Sequence, residues 1–331
     1  MRAATAWLEH RQVTLALLAL CAGVAFGVAV PGGDGLIVLV PGVLVALLFA
    51  TFLAVPFSAL ITAMRDLRFL GTVAIVNFIV ASVVAFVLSR FVADDDALLF
   101  GTLLVLLATC VDYVISFTRA AGGDAARLLA AAPLLMLGQI VLLPAYLWLF
   151  LGDDARDTLE VGPFLEAFVV YIAVPLAAAI VLQLLARRRP SLRTVESAVS
   201  TAMVPLLMAT IFVVVASQVR FVASELGVLV RVVPLFAVFA VVMLFAGIAA
   251  ARMSRMDAAS ARAVVFAGVT RNSLVVLPLT LAVPPSLALA PAVVVSQTLV
   301  ELVVMVILVR VVPHLVPLRG VGRPQRRADP E

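Results

Sequence analysis

A thiol, two carboxylates and a guanidinium stand inside long aliphatic runs, each beside amides or hydroxyls. Thr109-Cys110-Val111-Asp112 gathers a hydroxyl, a soft nucleophile and a carboxylate within four positions. Thr270-Arg271-Asn272-Ser273 sets a fixed cation between hydroxyls and an amide. Gln297 and Glu301 are four apart, so a helix stacks them on one face. The chemistry within reach is ligation of a soft centre by a thiolate, recognition of an anion by a guanidinium, and proton cycling on a sequestered carboxylate. Two His and two widely spaced Cys cannot build a metal site. There is no Gly-rich nucleotide loop with its Lys. The chain is therefore expected not to be an enzyme, and to need no metal or cofactor.

The elements that must hold these residues are set by composition. Apolar residues make up 65% of 331 positions and charged residues 13%, against about 45–50% and about 25% in soluble domains. The chain reads as an all-α integral membrane protein, counted in spans of about 20 residues. Apolar runs predict ten transmembrane helices near 13–30, 37–60, 69–92, 97–118, 127–151, 163–186, 199–219, 229–251, 261–283 and 290–312. The first run has no evident cleavage site and reads as a retained span. Cys21 reads as packing, and His10 and His314 as interfacial. All 23 basic residues are Arg. They lie in short segments between apolar runs, which argues against nucleic acid as a partner.

The arginines predict topology. Eighteen occupy the termini and every second loop; Arg90, Arg156, Arg220 and Arg231 occupy the alternate loops, and Arg271 lies within a span. That pattern expects both termini in the cytoplasm, in the cell (plasma) membrane. Two halves of five spans then run in opposite orientations, as inverted repeats. The first is 1–151, the second 163–313, and 314–331 is a basic cytoplasmic tail. A weak echo supports the halves: Pro133 with Gln139 recurs as Pro291 with Gln297, offset by 158, and the same offset carries Asp112 onto Thr270.

A charge at the bilayer centre costs about 2.5–3.5 kcal/mol even on a lenient scale. Asp112, Arg271 and Glu301 must therefore face protein or a wet cavity. The first two fall in the fourth span of each half, where interrupted helices would form a transport site. Simpler readings stand beside this one. Asp112 could mark the end of span four, and Arg271 could be a structural charge paired with Glu301 or Asp112, although a buried pair often fails to repay desolvation.

At these residues the chain resembles the arsenite efflux permeases of the bile acid/sodium symporter superfamily. The resemblance is carried by Cys110 through Leu151, by Val269 through Ser273 with Val276-Leu277-Pro278, and by Ser296 through Leu302 with Val309-Arg310-Val311-Val312-Pro313. It implies a ten-helix fold with a panel and a core domain, the discontinuous crossing helices being spans four and nine. It implies an essential cysteine at Cys110 and an essential glutamate at Glu301. The chain departs from the family's pattern at Thr109 and Val111. Against the sodium-coupled branch it has Arg271, and Phe266-Ala267-Gly268 where an acidic sodium ligand is expected.

The expected function is export of arsenite, and of antimonite as a further candidate, by proton antiport across the lipid bilayer. Thr109, Cys110, Asp112, Arg271, Asn272 and Ser273 would bind substrate, and Glu301 with Gln297 would couple protons. At roughly 150 mV one exchanged proton supplies about 3.5 kcal/mol. The alternative is a transporter of a small organic anion anchored on Arg271. A third reading is a non-transporting membrane sensor or scaffold. Oligomeric state is not legible in the sequence.

Overall fold

In the computed structural model, residues 11–55, 66–110, 113–151, 161–281 and 283–317 are described. The helices in chain order are α1 (Gln12–Ala29), α2 (Val40–Ala54), α3 (Leu67–Ala74) and α4 (Ala81–Ser89). Then come α5 (Asp96–Leu107), α6 (Val114–Ala120), α7 (Ala125–Phe150), α8 (Val161–Phe168) and α9 (Val174–Arg188). The last are α10 (Pro190–Ser224), α11 (Leu226–Leu229), α12 (Val233–Met253), α13 (Ala258–Val269), α14 (Ser273–Leu281) and α15 (Ala290–Leu315). π-turns at Ile75–Val80 and Val169–Ala173 join α3 to α4 and α8 to α9 as continuous rods.

Among the described residues, seven helical stretches are long and apolar enough to cross a membrane, and 14–29, 96–107 and 258–269 are shorter apolar helices. The outward faces are apolar: Val141, Phe91, Phe245 and Val303 are all exposed. The polar side chains Asn77, Gln139, Arg271, Gln297 and Glu301 are buried. Lipid outside and polarity inside reverses the pattern of a water-soluble fold. The chain is a multi-pass membrane protein.

Charge punctuates the helix ends. Asp66, Asp95, Asp124 and Asp257 are N-caps whose carboxylates accept backbone N–H groups of the first turn. Arginines do the opposite work at C-termini, where orphan carbonyls carry partial negative charge. Arg193 donates to the carbonyls of Ala186 and Arg187. Arg220 donates to those of Gly27, Val28 and Val30 at the end of α1. Arg90 reaches the Phe150 carbonyl at 3.0 Å, and Arg231 pairs with Asp94 at 2.5 Å. Three arginines of the sparsely charged loops thus have specific structural partners; Arg156 lies outside the described residues.

Two packed groups result. In one, α10 packs on α1 and α2, and α9 packs on α2 and α10. Gly23 and Gly27 let α1 approach α10: a Cβ on Gly27 would lie 2.5 Å from the Ala216 carbonyl oxygen. In the other, α12 packs on α13 and α15, α15 on α5 and α14, and α4 on α5. The groups meet where α10 touches α15 and α2 touches α14.

Candidate functional site

The helical rods of α5 and α13 both stop inside the second group. Helix α5 ends at Leu107 and α6 begins at Val114; α13 ends at Val269 and α14 begins at Ser273. The two breaks cross, and Thr109 pairs with Arg271 as an isolated antiparallel bridge. The Asn272 N–H donates to the Ala108 carbonyl at 2.9 Å. Backbone freed inside a membrane must find protein or water partners, and side chains supply the rest. Gln139 Oε1 accepts the Thr109 N–H at 2.9 Å and its hydroxyl at 2.7 Å. Glu301 accepts the Arg271 N–H on both carboxylate oxygens, at 3.2 and 3.1 Å. Asn272 Oδ1 accepts the Val275 N–H and caps α14.

Gln139 and Glu301 perform one task on opposite sides of the crossing. Each lies thirty residues beyond the amide that it holds. The equivalence Thr109 with Arg271, and Gln139 with Glu301, runs at an offset of 162. So do the N-caps Asp95 and Asp257, and helices α5 and α13, which have twelve residues each. The offset of 158 read from Pro133, Gln139, Pro291 and Gln297 therefore differs from the spatial correspondence. It equates Gln139 with Gln297, one helical turn before the residue that takes the same role. The offset of 162 holds before the breaks and again after them, at Gln139 and Glu301, although the first break is the longer.

Arg271 is wholly buried. Its Nη2 donates to the Gly268 carbonyl at 2.6 Å, to Asn77 Oδ1 at 2.9 Å and to the Ala267 carbonyl at 3.2 Å. Its Nη1 reaches the Leu106 carbonyl at 3.4 Å. The guanidinium also lies 5.3 Å from the centroid of the Phe239 ring. It thus caps the C-termini of both half-helices at once, a niche of carbonyl oxygens suited to a cation. Of the two partners considered for a structural Arg271, Asp112 lies outside the described residues, and Glu301 does not pair with its side chain but meets its backbone instead. The physical reason is the exposed carbonyls at the two helix ends, which compete for the guanidinium and lie closer to it.

Glu301 is buried and collects donors. Besides the Arg271 amide, the Tyr113 hydroxyl donates at 2.8 Å and Gln297 donates its side-chain amide. Gln297 Oε1 has no protein partner among the described residues. Tyr113 also lies 3.1 Å from the Arg271 carbonyl, so one hydroxyl ties α6 to both α14's entry and α15. Ser273 is buried and shares a hydrogen bond with the Thr298 hydroxyl at 2.7 Å. Cys110 is buried next to the bridge residue Thr109, and Cys21 is exposed on α1. Asp112 lies outside the described residues.

Thr109, Cys110, Arg271, Asn272, Ser273, Gln297 and Glu301 thus converge on one crossing. Sequence reasoning missed Asn77, Gln139's role, Tyr113 and Thr298. A buried amide such as Asn77 in an apolar run was a readable signal; Tyr113 stands in the polar interruption of span four, but nothing local told that its hydroxyl reaches Glu301. Beside the crossing, a small crevice separates the two helix groups. Ala16, Leu207 and Ile211 form one wall, and Tyr113, Leu274 and Thr298 the other. It is apolar apart from two hydroxyls.

The chain matches the sodium bile acid symporter family over residues 41–225, more than half of its length. No curated protein gives a significant match.

Proposed function

Because the chain belongs to the sodium bile acid symporter family and is a membrane transporter of that type, we propose that it carries a small amphipathic organic anion through the helix crossing. The observation that carries this reading is the seam between the two helix groups beside the crossing, closed here to about 10 Å³, whose walls are apolar apart from the Tyr113 and Thr298 hydroxyls and which must open to admit a substrate. Such a surface suits a hydrocarbon body with one polar end. Arg271 is not the anchor in this reading, because both its Nη atoms are held by carbonyls and Asn77, although its Nε is buried without a partner among the described residues. The polar end of the substrate would meet the hydroxyls and the N-terminus of α14 instead.

The reading includes ten spans in two inverted repeats, with α5–α6 and α13–α14 as the broken fourth and ninth spans. The equivalent roles of Gln139 and Glu301 support the repeat. The group around α10 would be the panel and the group around α15 the core, one rocking against the other. The Arg-rich end would face the cytoplasm in the plasma membrane. Coupling is to protons through Glu301. The Arg271 guanidinium already fills the carbonyl niche at the crossing, which disfavours a metal cation there.

Export of arsenite or antimonite is the second reading, favoured by one observation: the Cys110 thiol is buried at the crossing itself. One thiolate gives a bond that a carrier can also release.

The test uses the full chain in proteoliposomes under a pH gradient or a sodium gradient. Labelled taurocholate, small labelled carboxylates and arsenite are offered separately. Carboxylate flux driven by the pH gradient and lost in Glu301→Gln is the expected result. Flux that follows sodium would overturn the coupling. Arsenite flux alone, lost in Cys110→Ser and kept in Cys21→Ser, would move the substrate to the second reading. No flux of any probe by a folded, inserted protein would favour a sensor or scaffold.

A further inference from the structure

A further cavity lies away from the crossing. It has a volume of about 730 Å³ and opens where α12 ends, α13 begins and α15 ends. Its polar lining includes Arg252 and Arg255, and its apolar lining includes Ile248, Leu315 and Val316. Both arginines are exposed, and neither side chain makes a hydrogen bond or ion pair with a described residue. Asp257 also lines the cavity, but its carboxylate is engaged by Arg127 at 3.5 Å and by the Ser260 hydroxyl at 2.7 Å. The first residues of α13, Ala258 and Ala259, border the same space.

The turn that presents Arg255 is strained. Met256 N–H donates to the Ala251 carbonyl and Arg255 N–H to the Arg252 carbonyl, the double bond pattern that closes a helix through one left-handed residue. Glycine usually holds that position. Here it is Arg255, with φ of 48°, and no other non-glycine described residue has a positive φ. A side chain held there at the cost of strain, with no protein partner, points to a ligand. Next to it Met253, the last residue of α12, is 84% exposed. The site therefore offers two fixed cations beside an apolar wall, at a helix end where the chain leaves the bilayer.

We infer that this cavity binds the phosphate headgroup of an anionic phospholipid, with Arg252 and Arg255 as its ligands and Ile248 and Leu315 along its acyl chains. Basic pockets between membrane helices select such lipids, and each arginine contributes on the order of fivefold in affinity. The inference stands on membrane insertion alone and not on the substrate or coupling proposed above.

The full chain is purified, delipidated and returned to nanodiscs of phosphatidylcholine with or without phosphatidylglycerol. Thermal unfolding and native mass spectrometry are then read together. Phosphatidylglycerol should raise the unfolding temperature and remain bound on release from the disc. Arg252→Ala with Arg255→Ala should cut retention by roughly twentyfold or more. Arg255→Gly should unfold at a higher temperature than the unaltered chain in pure phosphatidylcholine, because strain is relieved, while losing part of the lipid effect. Arg187→Ala with Arg188→Ala, neutralising another part of the Arg-rich end, should leave retention unchanged. Equal loss in that control, or undiminished retention in the Arg252 and Arg255 variants, overturns the site. Stabilisation of equal size by inorganic phosphate in pure phosphatidylcholine would overturn the lipid as occupant and assign a soluble phosphate.

Discussion

Glu301 holds Arg271 by its backbone N–H, at 3.1 and 3.2 Å, while the Arg271 guanidinium turns to the carbonyls of Leu106, Ala267 and Gly268. The two charges at the centre of the protein therefore do separate work. The carboxylate satisfies freed backbone on one strand of the crossing, and the guanidinium closes both half-helices from the other side. Removing the guanidinium should damage folding, and removing the carboxylate's charge should not. Arg271→Ala would orphan buried carbonyls at about 1–3 kcal/mol each. A loss of at least about 3 kcal/mol is expected. Arg271→Lys should recover only part of it, since an ammonium cannot fork across several acceptors. Glu301→Gln keeps an acceptor for the amide and should unfold close to the unaltered temperature. Thermal unfolding in detergent reads all three. An Arg271→Ala protein as stable as the original would refute the capping role.

Tyr113 offers the second prediction. Its hydroxyl stands between the Glu301 carboxylate and the Arg271 carbonyl, with one proton for two acceptors. When Glu301 is charged, Tyr113 donates to it. When Glu301 is protonated, its O–H can donate to Tyr113, which then turns its own proton to the carbonyl. The ring also forms part of the crevice wall. Tyr113→Phe should keep the fold, cost about 1–2 kcal/mol, and alter the pH profile of transport in proteoliposomes. An unchanged profile with unchanged rate would show that the hydroxyl is only structural.

How much of this was legible in the sequence follows from what generates each feature. Lipid-facing surface is a matter of composition, so the apolar runs could be read directly, and Arg193 and Arg262 sit at helix ends where charge was expected. Arg262 goes further, donating to the carbonyls of Ala121 and Val316 from a buried position. The polar breaks at Thr109 and Arg271 were legible because polarity inside an apolar run demands a reason. Their partners were not. Gln139 and Glu301 are thirty residues away from the amides they hold, a distance that no local pattern encodes. The internal echo also misled: Pro133 with Gln139 recurs as Pro291 with Gln297 at an offset of 158, while the amides at the crossing and the side chains that hold them recur at 162.

At the Arg-rich end, Asp257 supplies a prediction in pH. Burial raises its carboxyl, but the Ser260 hydroxyl, the Ser260 N–H and the Arg127 guanidinium outweigh it, so the group titrates below the ordinary carboxylate range. Arg127 also pairs with Asp66 at 3.6 Å and Asp124 at 3.2 Å, so three helix N-caps share one cation. A carboxyl lowered on folding contributes stability that is fully present above its unfolded value near 4 and is lost as pH falls through the folded value. The unfolding temperature should therefore hold through the neutral range and drop in acid below about pH 4. Asp257→Asn keeps an N-cap but removes the charge, and should flatten part of that acid limb. Asp257→Ala should cost about 1 kcal/mol beyond Asn, because the cap is lost as well. Unfolding curves with identical acid limbs in all three proteins would contradict this assignment.

The last prediction concerns the wall opposite the crossing. Helix α1 lies so close to α10 that a Cβ on Gly27 would sit 2.5 Å from both the Ala216 carbonyl oxygen and Val219 Cγ1. The backbone oxygen cannot move without moving α10. Arg220 adds a second tie between the same helices through the Gly27 and Val28 carbonyls. Gly27→Ala must therefore push α1 away from α10, at an expected cost of about 1–3 kcal/mol. Ala16 on α1 and Leu207 with Ile211 on α10 form the far side of the crevice, so the same displacement should widen it and change the apparent affinity for substrate. Gly42, in α2, has nothing within 4 Å of an added Cβ, and Gly42→Ala serves as the control. It should be neutral or stabilising by a few tenths of a kcal/mol. Thermal unfolding and substrate titration in proteoliposomes separate the two variants. If Gly27→Ala behaves like Gly42→Ala in both measurements, the close contact of α1 with α10 does not define the crevice wall.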